Sequence, residues 1–203
     1  MGNICSKKSY KEVSKKDIPA HPTKIGLNFS HDEWKSYHNE GTIEQNIKGL
    51  KDIAIDLKKI ESFPKCLIRA AFICCNTYSN PSNSLGVGPI KDAITVAKYM
   101  KEIGFNVYFL QDPRTAEYTK YFKSFLQKTS EYLVIYYSGH GSNVNDRNDD
   151  DIEVRGEAFI FEDNYLSTTN LIDEIIHSGK PPTSKLCLIN DCCHSSPIYD
   201  FDL

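Results

Sequence analysis

The sequence predicts an α/β fold in which a mainly parallel sheet carries helices on both of its faces. Short runs rich in β-branched and aromatic residues, bounded by turn residues, alternate along the chain with segments of helical periodicity. Alternation of this kind is typical of a parallel sheet, because parallel strands need a crossover connection that is usually a helix. The strands of such a sheet are covered on both faces, so their sequences are apolar almost throughout.

Residues 1–64 are predicted to precede the sheet. Residues 1–30, with Pro19 and Pro22 among polar side chains, are predicted to be a tail and linker. Residues 31–64 are predicted to form an extension with one amphipathic helix, which begins at a capping box of Thr42 and Gln45. The apolar residues of that helix recur at helical spacing, at Ile43, Ile47, Leu50, Ile53, Leu57 and Ile60. We expect it to pack on the main domain, and a partner-binding or membrane-lying helix is the alternative.

Residues 65–203 are predicted to form the sheet domain. The predicted strands cover residues 67–75, 105–110, 132–137, 158–161 and 185–190, and the predicted helices cover residues 90–103, 116–128 and 169–177. An acidic loop at residues 146–153 interrupts the series. Apart from that loop and the short strand after it, strands and helices alternate through the domain, as an α/β sheet requires.

The distribution of charge excludes one class of function. The chain has a net charge of −3, yet residues 1–16 contain five lysines and one glutamate. That segment therefore carries +4 and the remainder of the chain −7. A nucleic-acid-binding domain needs a basic surface, so we expect no nucleic-acid partner. No apolar run approaches the roughly 18 residues of a membrane-spanning helix.

The amino terminus matches a pattern for fatty acylation. Its first six residues, Met-Gly-Asn-Ile-Cys-Ser, place Gly2 and Ser6 as N-myristoylation requires, and Cys5 is a candidate for palmitoylation. Lys7 and Lys8 would face anionic lipid. One myristoyl chain binds membranes only marginally, so stable anchoring needs such a second signal. We therefore expect a cytoplasmic protein held on the cytosolic face of a membrane; the alternative is a lysine-rich tail that matches by chance.

Two predicted strands end in residues that can carry out catalysis. The strand at 132–137 runs into Ser138-Gly139-His140-Gly141, and the strand at 185–190 runs into Asp191-Cys192-Cys193-His194. Ligands of open α/β sheets bind at the carboxyl ends of the strands, so a histidine and a thiol at two such ends can share one crevice. A histidine within reach of a thiol activates it as a nucleophile.

We predict His140 and Cys193 as the catalytic pair of a cysteine protease. They are 53 residues apart, and a histidine about 50 residues upstream of the cysteine is the spacing found in caspases. Gly139 and Gly141 allow a sharp turn around the histidine. The backbone amides of Gly141 and Cys193 are predicted to stabilise the oxyanion of the intermediate. The alternative is a histidine in a tight turn and an inert buried cysteine.

These two motifs together resemble those of metacaspases, the caspase-like peptidases of protists, fungi and plants. The resemblance runs from about residue 67 to the end of the chain, and it implies a caspase-like fold with Cys193, not Cys192, as the nucleophile. It also implies that Asp92 and Asp191 form an acidic pocket for Arg or Lys at the P1 position of a substrate. Carboxylates bind a guanidinium through charge-assisted, bidentate hydrogen bonds. The alternative for Asp92 is an ordinary first-turn residue favoured by the helix dipole.

The resemblance also bears on metal binding. Members of the family that need calcium carry an acidic pair where this chain has Ser167-Thr168-Thr169, and neutral oxygens are poor substitutes for carboxylates around a hard cation. We therefore expect no required cofactor. Calcium bound in the acidic loop is the alternative to a loop that is simply solvated. The candidate ligands there are Asp149, Asp150 and Asp151.

Family members continue beyond the cysteine motif, whereas this sequence ends ten residues after Cys193. We therefore expect a sheet that is truncated after the nucleophile strand and exposes a strand edge, which natural proteins seldom leave uncovered. A separate small subunit or a second copy of the chain is the expected partner at that edge. A non-catalytic scaffold or decoy that pairs with full-length relatives is the alternative function, and a membrane-bound thiol sensor is a third.

Overall fold

The computed structural model describes residues 41–146 and 154–193. The strands are β1 (Ile55–Asp56), β2 (Leu67–Cys75), β3 (Asn106–Gln111), β4 (Thr129–Ser138), β5 (Gly141–Asp146), β6 (Val154–Ile160), β7 (Tyr165–Ser167) and β8 (Lys185–Asp191). The helices are α1 (Ile43–Lys51), α2 (Gly88–Glu102), α3 (Thr115–Lys128) and α4 (Thr168–His177), and a short 3-10 helix (Leu57–Lys59) follows β1.

Five parallel strands form the main sheet, in the order β1-β3-β2-β4-β8. The helices α2 and α3 connect β2 to β3 and β3 to β4 along the chain, and α4 precedes β8. The predicted mainly parallel α/β sheet is therefore confirmed. Its order makes β4 and β8 direct neighbours, so the two strands that lead into the histidine and cysteine motifs end at the same edge of the sheet.

The sheet has a hydrophobic core on each face, because its central strands alternate their side chains between the two sides. In β2, Phe72 packs into a core that contains the aromatic residues of α3, while Ile73 packs into the opposite core with α1 and α2. The ring of Phe72 stacks on that of Phe125, with centroids 4.9 Å apart. Each such fully buried side chain stabilises the fold by about 1.5–3 kcal/mol. Helices thus cover both faces, as predicted.

The predicted amphipathic helix begins where expected but is shorter. The Thr42 hydroxyl accepts a hydrogen bond from the Gln45 N–H, and the Gln45 side chain accepts one from the Thr42 N–H, which is a complete capping box. The prediction that the helix continues to Ile60 is wrong, because α1 ends at Lys51 and the chain then forms β1. Backbone pairing of β1 with β3 overrides the helical spacing of the apolar residues beyond Lys51.

A small antiparallel sheet of β5, β6 and β7 lies directly after the histidine motif. Its first strand begins at Gly141, which pairs with Phe159 of β6. Of this small sheet, sequence patterning predicts only part of β6. It does not predict β5, because β5 has no apolar run and is recognised as a strand by its backbone pairing with β6. The sheet is anchored to the core by Phe159, whose ring stacks on Tyr137 at 4.1 Å between centroids.

In residues 41–146 and 154–193, the last strand of the main sheet is covered on one face only. Leu186 and Leu188 of β8 point into the core that contains α3, whereas Cys187, Ile189 and Asp191 are exposed on the opposite face. Within the part of the chain that the structure describes, the outer edge of β8 pairs with no other strand. The cysteine motif therefore follows an edge strand.

Candidate active site

The ends of β4 and β8 are held side by side in register. Ser138 pairs with Asp191, and the Gly139 N–H donates a hydrogen bond to the Asp191 carbonyl at 3.2 Å. His140 and Cys193 each lie two residues beyond that pair. A Cβ added at Gly141 would overlap the carbonyl oxygen of Cys193, so the backbone next to the histidine contacts that of the cysteine. The two predicted catalytic positions therefore lie at one place in the fold.

Both glycines that flank His140 are enclosed by neighbouring atoms. A Cβ at Gly139 would lie 2.8 Å from the hydroxyl oxygens of Tyr78 and Tyr137, and 2.9 Å from Nδ2 of Asn76. At Gly141 it would also lie 3.1 Å from Sγ of Cys192. The histidine turn needs glycine on both sides because no space remains for a side chain.

The imidazole of His140 is half-buried, and one of its nitrogens has a clear partner. Nε2 lies 2.7 Å from the carbonyl oxygen of Asn83. A carbonyl oxygen can only accept a hydrogen bond, so Nε2 must carry the proton in this contact. In a neutral imidazole the lone pair is then on Nδ1. His140 is thus set in the tautomer that uses Nδ1 as a base.

The backbone of His140 is held by two tyrosine hydroxyls. Its N–H donates to the Tyr78 hydroxyl at 2.7 Å, and its carbonyl accepts from the Tyr137 hydroxyl at 2.9 Å. The same carbonyl accepts from the Ile160 N–H of β6 at 3.1 Å. The small sheet and the core therefore both fix the position of the turn.

The two adjacent cysteines have different surroundings. Cys193 is exposed, whereas Cys192 is half-buried and packs against the core that contains α3. Burial, together with the charge of the neighbouring Asp191, raises the pKa of Cys192 to about 11. At neutral pH Cys192 is therefore a thiol, and a thiol is a poor nucleophile.

The two carboxylates predicted to bind a basic side chain lie near one tyrosine. The Tyr136 hydroxyl donates a hydrogen bond to Oδ2 of Asp191 at 2.8 Å. Burial raises the pKa of Tyr136 well above its usual range, and the charges of Asp191 and Asp92 raise it further. Both carboxylates are therefore within electrostatic reach of the same hydroxyl. Asp92 lies in α2 and Asp191 at the end of β8, so the charges of two residues far apart in sequence act on one hydroxyl.

The other predicted site residues gain no structural support. Among residues 41–146 and 154–193, no three His, Cys, Asp or Glu side chains are grouped as a metal ion would need. The calcium candidates Asp149, Asp150 and Asp151 lie outside the described residues, as do the lipidation candidates Gly2 and Cys5. Ser167 uses its hydroxyl to accept a hydrogen bond from the Asn170 N–H and so caps α4. None of the helices in the described ranges is both long and apolar enough to cross a bilayer.

Sequence reasoning missed the residues that hold the histidine. Tyr78 and Asn83 lie in the segment between β2 and α2. They are 62 and 57 positions away from His140 in the chain and contact it in the folded structure. Periodicity and local motifs carry no information on contacts between residues so distant in the chain. The prediction was restricted to the ends of β4 and β8 for that reason.

A parallel sheet of this order, with a histidine and a cysteine beyond the ends of two adjacent strands, defines a protein of the caspase-like class. The chain belongs to the caspase family, since the model of the caspase domain matches residues 68–202. It is a metacaspase-like member of that family, because it is similar to a metacaspase of Trypanosoma brucei brucei.

The two similar proteins differ in what they show. The trypanosome protein bears the name inactive metacaspase-4. It is 29% identical over an alignment of 160 positions, which covers 70% of this chain and 44% of the relative. The chain thus spans less than half the length of that relative. A crystal structure of a protein from Geobacter sulfurreducens matches with a TM-score of 0.53 at 20% identity, over 63% of this chain and 51% of that protein. The structural match supports the fold alone.

Proposed function

We propose that this chain is a cysteine endopeptidase that cleaves peptide bonds after Arg or Lys, with Cys193 as the nucleophile and His140 as the base. One observation carries the proposal. The register of β4 and β8 pairs Ser138 with Asp191, so that His140 and Cys193 occupy equivalent positions beyond two adjacent strand ends. Membership of the caspase family supports the proposed reaction class.

The proposed reaction follows the chemistry of a thiol and an imidazole. Nδ1 of His140 accepts the proton of the Cys193 thiol, and the thiolate attacks the carbonyl carbon of the scissile bond. The tetrahedral oxyanion accepts hydrogen bonds from the amides of Gly141 and Cys193, and the loss of one such donor typically costs about 10²–10³ in kcat. The imidazolium then protonates the leaving amine. Water hydrolyses the resulting thioester while His140 again accepts a proton.

The carboxylates of Asp92 and Asp191 are proposed to bind the cationic side chain at P1. Their common neighbour, the Tyr136 hydroxyl, orients the Asp191 carboxylate through the 2.8 Å hydrogen bond. Two negative charges that both act on the Tyr136 hydroxyl favour a guanidinium or an ammonium over an acidic side chain. The same two charges would repel an acidic P1 side chain, so we do not propose cleavage after Asp.

A covalent probe tests the proposal directly. A peptide with Arg at P1 and an electrophilic ketone should label the protein rapidly, and the Cys193→Ala variant should not be labelled. Cys192→Ala is the matched control, because it removes the adjacent thiol that burial holds protonated, and it should be labelled like the parent. Labelling that survives in Cys193→Ala and disappears in Cys192→Ala would contradict the proposal, because it would show that Cys192 is the nucleophile.

A non-catalytic scaffold is the second candidate function. Within the described residues the outer edge of β8 is unpaired, and Ile189 and Tyr132 are 37% and 39% exposed. The trypanosome relative is named inactive. A partner strand from a separate small subunit, a full-length relative or a second copy of the chain would fit this edge. In that case the chain alone would turn over no peptide, and mixing it with a full-length relative would change the activity of that relative.

Attachment to the cytosolic face of a membrane through Gly2 and Cys5 remains part of the proposal. It is supported by the sequence pattern and by the lysines that follow it. Mass spectrometry of the protein from its native host should find a myristoyl group on Gly2 and a palmitoyl group on Cys5. An unmodified Gly2 would remove this element without affecting the proposed catalysis.

A further inference from the structure

We propose that Tyr78 is a positioning residue that holds His140 in its reactive orientation. The inference rests on the proposed function of His140 as the base, and it assigns a role to a residue outside both strand-end motifs. Tyr78 lies in the segment between β2 and α2, and it contacts the backbone and the ring of His140.

The hydroxyl of Tyr78 bridges the histidine turn to the small sheet. It accepts a hydrogen bond from the His140 N–H at 2.7 Å and donates one to the Ile160 carbonyl at 2.9 Å. Burial raises the pKa of Tyr78 to about 12, so the group remains a neutral phenol that can both accept and donate. Phenylalanine would keep the ring but leave the His140 N–H without this acceptor.

The ring of Tyr78 packs on the imidazole itself. The two ring centroids are 4.7 Å apart and the planes are inclined by 33°. The same segment supplies the Asn83 carbonyl, which accepts from Nε2. The imidazole is therefore held by its face and by one nitrogen, and its other nitrogen remains the base. An aromatic face also attracts a cation, so the ring suits the imidazolium that forms during the reaction.

The backbone conformation of Tyr78 is strained, and hydrogen bonds to Asp112 maintain it. Its φ is 61°, which is uncommon for a bulky residue and costs about 1–3 kcal/mol. The Asp112 carboxylate accepts from the backbone N–H of Thr77 at 2.6 Å and of Tyr78 at 3.2 Å, and from the Thr77 hydroxyl at 2.7 Å. Strain that the surroundings maintain in this way is concentrated at functional sites.

Tyr78 is buried, but it contacts the histidine turn from outside the two hydrophobic core clusters. Its side chain is only 5% exposed, yet it belongs to neither hydrophobic core cluster of the described residues. Tyr137 differs, because it also contacts the His140 turn but is a member of the core and stacks on Phe159. A structural role is sufficient for Tyr137, whereas the side chain of Tyr78 contacts the backbone and ring of His140 and links them to Ile160 of the small sheet.

Tyr78→Phe tests the inference, with Tyr121→Phe as the matched control. Tyr121 also donates from a buried hydroxyl to a backbone carbonyl, that of Leu57 at 2.8 Å, far from the strand ends. We expect Tyr78→Phe to lower kcat for an Arg peptide about tenfold with KM within about twofold, as loss of positioning predicts. Tyr121→Phe should leave both constants at the parent values. Asp112→Asn, which weakens the anchor of Tyr78, should lower kcat in the same direction.

Two measurements do not require turnover and separate this inference from the proposed function. The imidazole nitrogens of His140 can be observed by ¹H–¹⁵N NMR, and Cys193 alkylation by iodoacetamide can be followed by mass spectrometry across pH. In Tyr78→Phe we expect the Nε2–H tautomer of His140 to lose population and the pH profile of Cys193 alkylation to shift. A parent-like tautomer and a parent-like profile in Tyr78→Phe would overturn the positioning role. An absence of turnover in the parent would count against the proposed function alone.

Discussion

The turn that carries His140 and the chain segment that carries Cys193 lie side by side but are held very differently. The backbone and imidazole of His140 make hydrogen bonds to Tyr78, Tyr137, Asn83 and Ile160. Among the residues that the structure describes, Cys193 follows a strand at the edge of the sheet that is covered on one face, and its side chain is exposed. The histidine half of the candidate dyad is therefore rigid, and the cysteine half is less constrained by the described residues.

If the proposed function is right, this difference predicts which half of the candidate dyad a binding partner would affect. A catalytic group misplaced by 1 Å can cost about 10²-fold in rate. The position of His140 is fixed by the fold, so a strand or subunit that covers β8 would act mainly on Cys193.

The largest effect on stability and labelling should come from Gly139→Ala, which disrupts the rigid turn that carries His140. The new Cβ would lie within 2.9 Å of three polar atoms, which belong to Tyr78, Tyr137 and Asn76. Both tyrosines must then shift, so the hydrogen bonds that hold His140 are lost together. We expect a loss of about 1–3 kcal/mol in the free energy of unfolding, measured in urea, and loss of probe labelling.

Gly49→Ala is the control for that substitution. Gly49 lies in α1, and a Cβ there would make an ordinary contact with Ile94 Cδ1 at 3.8 Å. Alanine is favoured over glycine in a helix, so this variant should gain about 0.5–1 kcal/mol and keep full labelling. Equal stabilities of Gly139→Ala and the parent would show that the histidine turn is not rigid.

A smaller effect on stability is expected from Gly141→Ala, which disrupts the contact between the histidine turn and the backbone of Cys193. The added Cβ would overlap the Cys193 carbonyl oxygen, and Cys193 can move away with little loss of its own packing because its side chain is exposed. The free energy of unfolding should therefore change by less than about 1 kcal/mol, while labelling of Cys193 falls at least about tenfold. Unchanged labelling would mean that the two backbones need not be in contact for the site to react.

The sequence could predict the strand ends but not their surroundings. β2, β4 and β8 were predictable because their apolar runs are bounded by turn residues, and β2 has the predicted bounds of Leu67–Cys75. β1 and β5 were missed because backbone pairing with β3 and β6, not their own residues, makes them strands. Tyr78 was missed because its contact with His140 spans 62 positions of the chain and leaves no local pattern.

The smallest effect on labelling is expected from substitution of Cys192, and this prediction compares the reactivity of two adjacent thiols. Because burial raises its pKa to about 11, the protonated form is favoured in the folded protein, and Cys192 should be alkylated appreciably only as pH approaches that value. Mass spectrometry of the peptide that contains both cysteines would follow each thiol across pH. Cys192→Ala should change the rate of probe labelling by less than about twofold, since the thiol takes no part in the reaction. Preferential alkylation of Cys192 near pH 7 would contradict this expectation, because it would show that Cys192 and not Cys193 is the reactive thiol.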